Sequence, residues 1–194
     1  MNKSSQTVAE LADNSPEIVR LVNGLAERGW DVHLICHHAP APTSLNPRVR
    51  VHRLPVTTSY PLTYAAFLLA APMILRIKPA VIHAHYLTRY DILAAVHRRF
   101  LRFKPMVLTA VGDDVLVESR KGVTRWSAEH ALKMFEVITC GTDNLSSGLH
   151  ELETPADKTE RIDLSAGANK SDKELDRLEA IYLKLINSQT KTRK

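Results

Sequence analysis

The sequence predicts an α/β fold: a single Rossmann-like, doubly wound domain with a mainly parallel sheet, closed by a C-terminal amphipathic helix. Three observations predict it. Short apolar runs bounded by turn residues alternate with helical patterns along most of the 194 residues. The stretch Lys78 to Asp114 places two apolar strands, Ala80 to Ala84 and Pro105 to Thr109, on either side of an amphipathic helical crossover, which implies parallel pairing. The segment Ser171 to Asn187 carries Leu175, Leu178, Ile181, Tyr182 and Leu185 at helical spacing, with charges on its other face.

The elements follow in order. Val8 to Ala12 reads as a first strand, interrupted in polarity by Glu10. Pro16 to Arg28 reads as a helix, with Ser15 as cap, Pro16 in the first turn, Ile18, Leu21, Val22 and Leu25 on one face, and Gly29 as its stop. Asp31 to Cys36 is a buried strand and Arg50 to Pro55 an alternating outer strand. Leu62 to Ile77 is an apolar helix that Pro72 kinks or divides. Beyond the central stretch come a helix over Thr124 to Phe135, a strand over Val137 to Cys140 and a helix over Thr142 to Leu152. A last strand over Arg161 to Leu164 and the C-terminal helix, with Ser171 and Glu174 as a capping box, complete the series. Six or seven strands are expected. The domain spans 1–168, and 169–194 forms the helix and a basic tail.

Bulk properties narrow the function classes. A net charge of +5, with Lys and Arg scattered along the chain, gives no footprint for nucleic acid; it suits at most peripheral contact with an anionic membrane. Met1 to Gln6 is polar and reads as no signal peptide, and the longest apolar run, Tyr64 to Ile77, is too short to span a bilayer and contains Pro72. A cytoplasmic protein is expected. Cys36 and Cys140 each close an apolar strand and read as buried small hydrophobes. No CxxC or HExxH spacing occurs, and neither GxGxxG nor a P-loop is present, so no metal and no cofactor are expected.

Two groups of residues could carry chemistry. His83 and His85, i and i+2 on a strand, share a face. They either line a crevice and touch a polar ligand, or donate to nearby carbonyls as structural groups, or form a metal pair that lacks an obvious third ligand. Gly112, Asp113 and Asp114 follow the next strand. They form a turn whose carboxylate caps a short helix, or two carboxylates that accept hydrogen bonds from sugar-like hydroxyls, and the two readings are compatible. Asp113 is the better ligand contact, because Asp114 is better placed to cap. The first strand-to-helix turn, Asp13-Asn14-Ser15-Pro16, has no glycine and is not a phosphate cradle.

Five segments in sequence, LVNGLAERGWDVHLIC (21–36), VRVHRLP (49–55), KPAVIHAHYLTRYDILAA (78–95), KPMVLTAVGDDVLV (104–117) and FEVITCGTDNLSSGLHEL (135–152), resemble the N-terminal half of a GT-B glycosyltransferase of the family 4 type. The resemblance covers Val8 to Ala168. It implies a domain that holds the acceptor, with a second domain that binds a nucleotide-sugar and transfer of a hexosyl unit in the cleft between them, with retention and without a metal. By that resemblance, the chain is expected to lack the donor-binding domain. After Gly167-Ala168-Asn169 only the Ser171 to Asn187 helix follows, which resembles the closing helix of such enzymes. Val111 stands where many members carry His or Trp before the Gly-x-Asp loop, so a catalytic residue is not assignable. His83, His85, Gly112, Asp113 and Asp114 remain the substrate-binding expectation. The implied function is transfer to a glycan or lipid-linked acceptor, incomplete without a donor-domain protein acting in trans. The alternative is a non-catalytic glycan-binding or partner-binding module.

Overall fold

A computed structural model describes residues 6–54, 71–86, 105–111, 122–164 and 168–192. Among the described residues there are seven strands: β1 (Thr7–Leu11), β2 (Asp31–Cys36), β3 (Arg50–Arg53), β4 (Val81–His85), β5 (Met106–Ala110), β6 (Val137–Cys140) and β7 (Thr159–Arg161). The sheet order is β3-β2-β1-β4-β5-β6-β7. The pairs β1/β2, β2/β3, β5/β6 and β6/β7 are all parallel. This is the doubly wound order, and the crossover helices explain why the strands read as apolar runs: both faces of such a sheet are covered. The chain divides into two compact units, Met1–Ile82 and His83–Lys194.

In the first unit, helix α1 (Pro16–Glu27) starts as expected. The Ser15 hydroxyl accepts from the Ile18 N–H, Pro16 opens the first turn, and Ile18, Leu21, Val22, Leu25 and Ala26 are buried. It ends in a Schellman arrangement. The Gly29 and Trp30 N–H groups donate to the Ala26 and Leu25 carbonyls, and Gly29 takes the left-handed conformation at φ 89°. Trp30, only 5% exposed, folds back into the core beyond that cap. β3 is the outer strand of the order and the more exposed, as its alternating sequence predicts. Pro72 lies inside a helical stretch over 71–77; the earlier part of the Leu62 to Ile77 helix lies outside the described residues, as does the crossover expected after His85.

In the second unit, α2 (Gly122–Leu132) and α3 (Asp143–Glu151) flank β6, and Thr142 caps α3 through the Leu145 N–H. Two expectations shift. The last strand is Thr159–Arg161 rather than Arg161 to Leu164. Its polar sequence hides it, but its register against Ile138, Thr139 and Cys140 is fixed by the preceding 3-10 turn, Ala156–Lys158, and the Ile162 N–H still reaches the Cys140 carbonyl at 3.0 Å. The C-terminal helix α4 runs Ala168–Thr192, so Ser171 sits within the helix and not at its cap. Leu175, Leu178, Ile181 and Tyr182 are buried as predicted, but Glu174 and Glu179 are buried with them. Glu174 keeps its carboxylate 3.1 Å from Arg177, one turn along. No helix among the described residues is long and apolar enough to cross a membrane.

Candidate functional site

All five residues of β4 are buried, so its polar side chains must find partners inside the protein. His83 and His85 do share a face, with ring centroids 4.0 Å apart and planes tilted by 42°. Neither ring reaches solvent: His83 is 0% exposed and His85 1%. His83 is held at both nitrogens. Its Nδ1 lies 2.5 Å from the Tyr182 hydroxyl of α4, and its Nε2 lies 2.7 Å from Thr109 Oγ1 of β5. Thr109 and Thr139 occupy paired positions on β5 and β6, and their hydroxyl oxygens are 2.7 Å apart. Thr139 in turn donates to the Leu108 carbonyl at 3.4 Å. The Tyr182 ring meets His83 edge-on at 5.7 Å. A continuous buried polar chain thus runs from the C-terminal helix across three strands of the second unit.

Just past β4, Tyr86 adopts a left-handed backbone at φ 75°. That conformation is costly for a bulky residue and recurs at sites where side-chain direction matters. Past β5, Val111 is 38% exposed and leads into Gly112-Asp113-Asp114, which lie outside the described residues. Of the five expected substrate-binding residues, the structure therefore places His83 and His85 together, buried at the carboxyl end of one strand.

The carboxyl edge of the first unit holds a residue the sequence did not single out. Asp13 Oδ1 accepts from the backbone N–H groups of both His37 and His38 at 3.2 Å, tying the loop after β1 to the loop after β2. The His38 ring lies 3.7 Å from the same carboxylate. Burial, aided by the Asp13 charge, pushes the neighbouring Cys36 thiol up to about 11. Cys36 and Cys140 are both buried and form no disulfide, and burial likewise raises the Cys140 thiol. Glu10, which interrupts the apolar run of β1, is 0% exposed within a fully formed strand. A buried carboxylate is kept at a free-energy cost and marks a position of more than packing interest.

At the end of β6, Gly141 approaches the next connection closely. A Cβ built there would meet Asp163 Oδ1 at 3.3 Å. Arg161 pairs with Asp143 at 2.7 Å, but both side chains are well exposed, so the pair adds little stability.

The Tyr182, Thr109 and Thr139 roles had a faint signal in the sequence. Thr109 and Thr139 stand one residue before the ends of two neighbouring strands, in otherwise apolar surroundings. Tyr182 is the one residue of the buried helix stripe with a polar tip, which a buried tyrosine must satisfy.

Known structures share this fold. A two-segment form of sucrose-phosphate synthase from Thermosynechococcus elongatus, its name giving 27–220 and 406–426, aligns with a TM-score of 0.66 and 16% identity, over 93% of this chain and 99% of that one. UDP-GlcNAc 2-epimerase from Methanocaldococcus jannaschii aligns with a TM-score of 0.58 and 14% identity, over 81% of this chain and 45% of the epimerase. HepE of Anabaena in complex with UDP aligns with a TM-score of 0.55 and 12% identity, over 81% of this chain and 43% of that one. The chain thus spans less than half the length of the latter two proteins. No curated protein matches in sequence. The description "Glycosyl transferase 4-like" fits residues 8–142, which is most of the chain, and with the seven-stranded doubly wound sheet it shows that this protein belongs to the glycosyl transferase 4-like family.

Proposed function

We propose that this chain is the acceptor-side part of a hexosyl-transfer system, working with a donor-binding domain that a separate polypeptide or further sequence supplies. The observation that carries this reading is coverage. The chain aligns over 99% of a two-segment form of sucrose-phosphate synthase but over only 45% and 43% of two proteins whose names include a UDP-sugar or UDP. Under this proposal, α4 takes the place of the second of the two segments that the neighbour's name gives. In this reading the donor is a nucleotide-sugar held by the other domain, and the acceptor is a glycan or lipid-linked sugar. The same reading puts the protein in the cytoplasm and allows its net positive charge to favour peripheral contact with an anionic bilayer.

The acceptor contacts proposed are His83, His85, Gly112, Asp113 and Asp114; because both imidazoles are buried, their contact with a ligand requires the end of β4 to be uncovered when the acceptor binds. Support comes from the position of His85 at the carboxyl end of β4, from the left-handed Tyr86 that follows it, and from the exposure of Val111 at the entry to the loop. Asp113 would accept hydrogen bonds from acceptor hydroxyls, which a carboxylate does at two oxygens. Because Val111 stands before the loop, this chain offers no imidazole there to take a proton.

Calorimetric titration tests the reading. The chain alone is expected to bind oligosaccharide acceptors and to show no micromolar affinity for UDP- or GDP-sugars. Asp113→Ala and His85→Ala are expected to weaken acceptor binding with the melting temperature of Asp113→Ala unchanged. Micromolar binding of a nucleotide-sugar to this chain alone would overturn the acceptor-side assignment. Unchanged acceptor affinity in both variants would remove these residues from the site.

A further inference from the structure

We infer that Tyr182 of the C-terminal helix is a positioning residue, which fixes the tautomer and orientation of His83 and, through the packed imidazole pair, of His85. The inference follows from counting protons along the buried chain. Its fixed end is the Leu108 carbonyl, which only accepts, so Thr139 donates its single hydroxyl proton there. The 2.7 Å contact between Thr139 and Thr109 then requires Thr109 to donate. With its proton committed, Thr109 can only accept from His83, so the ring proton of His83 resides on Nε2. Nδ1 is left as a lone-pair acceptor, and the Tyr182 hydroxyl donates to it. The opposite polarity forfeits the Thr139 bond to Leu108 and turns Tyr182 from donor to acceptor.

The geometry ties this order to the end of β4. All members of the chain are buried: His83, Thr139 and Tyr182 at 0% and Thr109 at 4% exposure. Water therefore cannot substitute for a missing partner without opening the core. The His83 ring is held by a hydrogen bond at each nitrogen and by the Tyr182 ring, which meets it edge-on. His85 lies with its ring centroid 4.0 Å from that of His83, so a rotation of one ring displaces the other. The part of the inference that calls His85 a ligand contact rests on the function proposed above; the tautomer does not.

Long-range nitrogen–proton NMR spectra of the imidazole rings of the full chain test it without any ligand. The expected spectrum shows His83 protonated at Nε2 with a pyridine-like Nδ1. A proton on Nδ1, alone or together with Nε2, overturns the inference. Tyr182→Phe keeps the ring and removes only the donor. It is expected to shift the His83 Nδ1 resonance and the His85 ring signals, while the surface His130 on α2 stays unmoved. Thr109→Val, which removes the acceptor at the other nitrogen, is expected to move the His83 proton toward Nδ1. Rings of His83 and His85 that are indifferent to Tyr182→Phe would leave Tyr182 with a packing role only and overturn the positioning claim. A failure to bind any oligosaccharide, with these spectra as expected, would sink the acceptor-side reading and leave the tautomer assignment standing.

Discussion

His33 Nδ1 lies 2.8 Å from His52 Nε2, with the two ring planes 4° apart. One ring must donate and the other accept, so the contact exists only while at least one imidazole is neutral. His33 projects from β2 and His52 from the outer strand β3, and Arg50 and Asp31 stand at the other nitrogen of His33 at 3.3 and 3.5 Å.

The pH response of this pair has a definite sign. Burial lowers His33 below its ordinary 6.5, opposed in part by Asp31, and burial lowers His52 from the same value, reinforced by His33 and Arg50. The unfolded chain therefore takes up these protons first as pH falls. The stabilisation is fully present above about 6.5 and is lost as pH drops through that value toward the folded-state values. Melting temperature is expected to fall between pH 7.5 and 5.5, with β3 amides losing exchange protection before those of β1. His52→Asn should flatten that dependence; an undiminished slope in the variant would show that other groups set it.

A second relationship, Asp13 with the His37 and His38 amides, gives a prediction about the loops. A hydrogen bond to a charged acceptor is worth roughly 1.5–3 kcal/mol when its removal leaves a poorly solvated donor, and less where water can replace it. His38 is exposed and His37 half-buried, so Asp13→Ala is expected to cost about 1–3 kcal/mol in urea unfolding. Asp13→Asn retains an oxygen acceptor and should cost less. The amides of His37 and His38 should exchange faster in both variants, and unaltered exchange would show that the loop is held by its other contacts.

Much of this architecture was legible because parallel sheets write themselves plainly: DVHLIC, VIHAH, MVLTA and VITC are near-continuous apolar runs, and all four became buried strands. The cap at Ser15 and the stop at Gly29 were equally readable, since each follows from local backbone chemistry. β7 escaped because three polar residues, Thr159-Glu160-Arg161, pair at a sheet edge where burial does not demand apolarity. The start of α4 escaped because a good capping pattern at Ser171 lies inside a helix that begins earlier. Within the site, the i, i+2 pairing of His83 and His85 was legible from strand periodicity. Their burial was not, because Tyr182 lies 99 residues away from His83 and no local pattern announces such a contact. Asp13 was read only against the phosphate-cradle pattern; its role is to tie two loops together, which needs the neighbouring strand to be seen.

The last prediction concerns α4 as a structural member. Leu175, Leu178, Ile181 and Tyr182 are each at most 5% exposed. Burial of a large apolar side chain contributes roughly 1.5–3 kcal/mol, so the four together represent an upper figure of roughly 6–12 kcal/mol, comparable with the whole stability of an ordinary domain. Deleting everything after Asn169 also strips the hydroxyl from His83 Nδ1 and leaves a buried imidazole nitrogen without the Tyr182 bond. The truncated chain is therefore expected to lose a large part of its melting temperature or its cooperative transition altogether. A milder change, Leu178→Ala, should cost about 2–5 kcal/mol, as is usual for a fully buried leucine that leaves a cavity. Differential scanning calorimetry of both proteins checks the claim. A truncated chain that melts at the parent temperature would mean that α4 is undocked in solution, and the Tyr182 bond to His83 would fall with it.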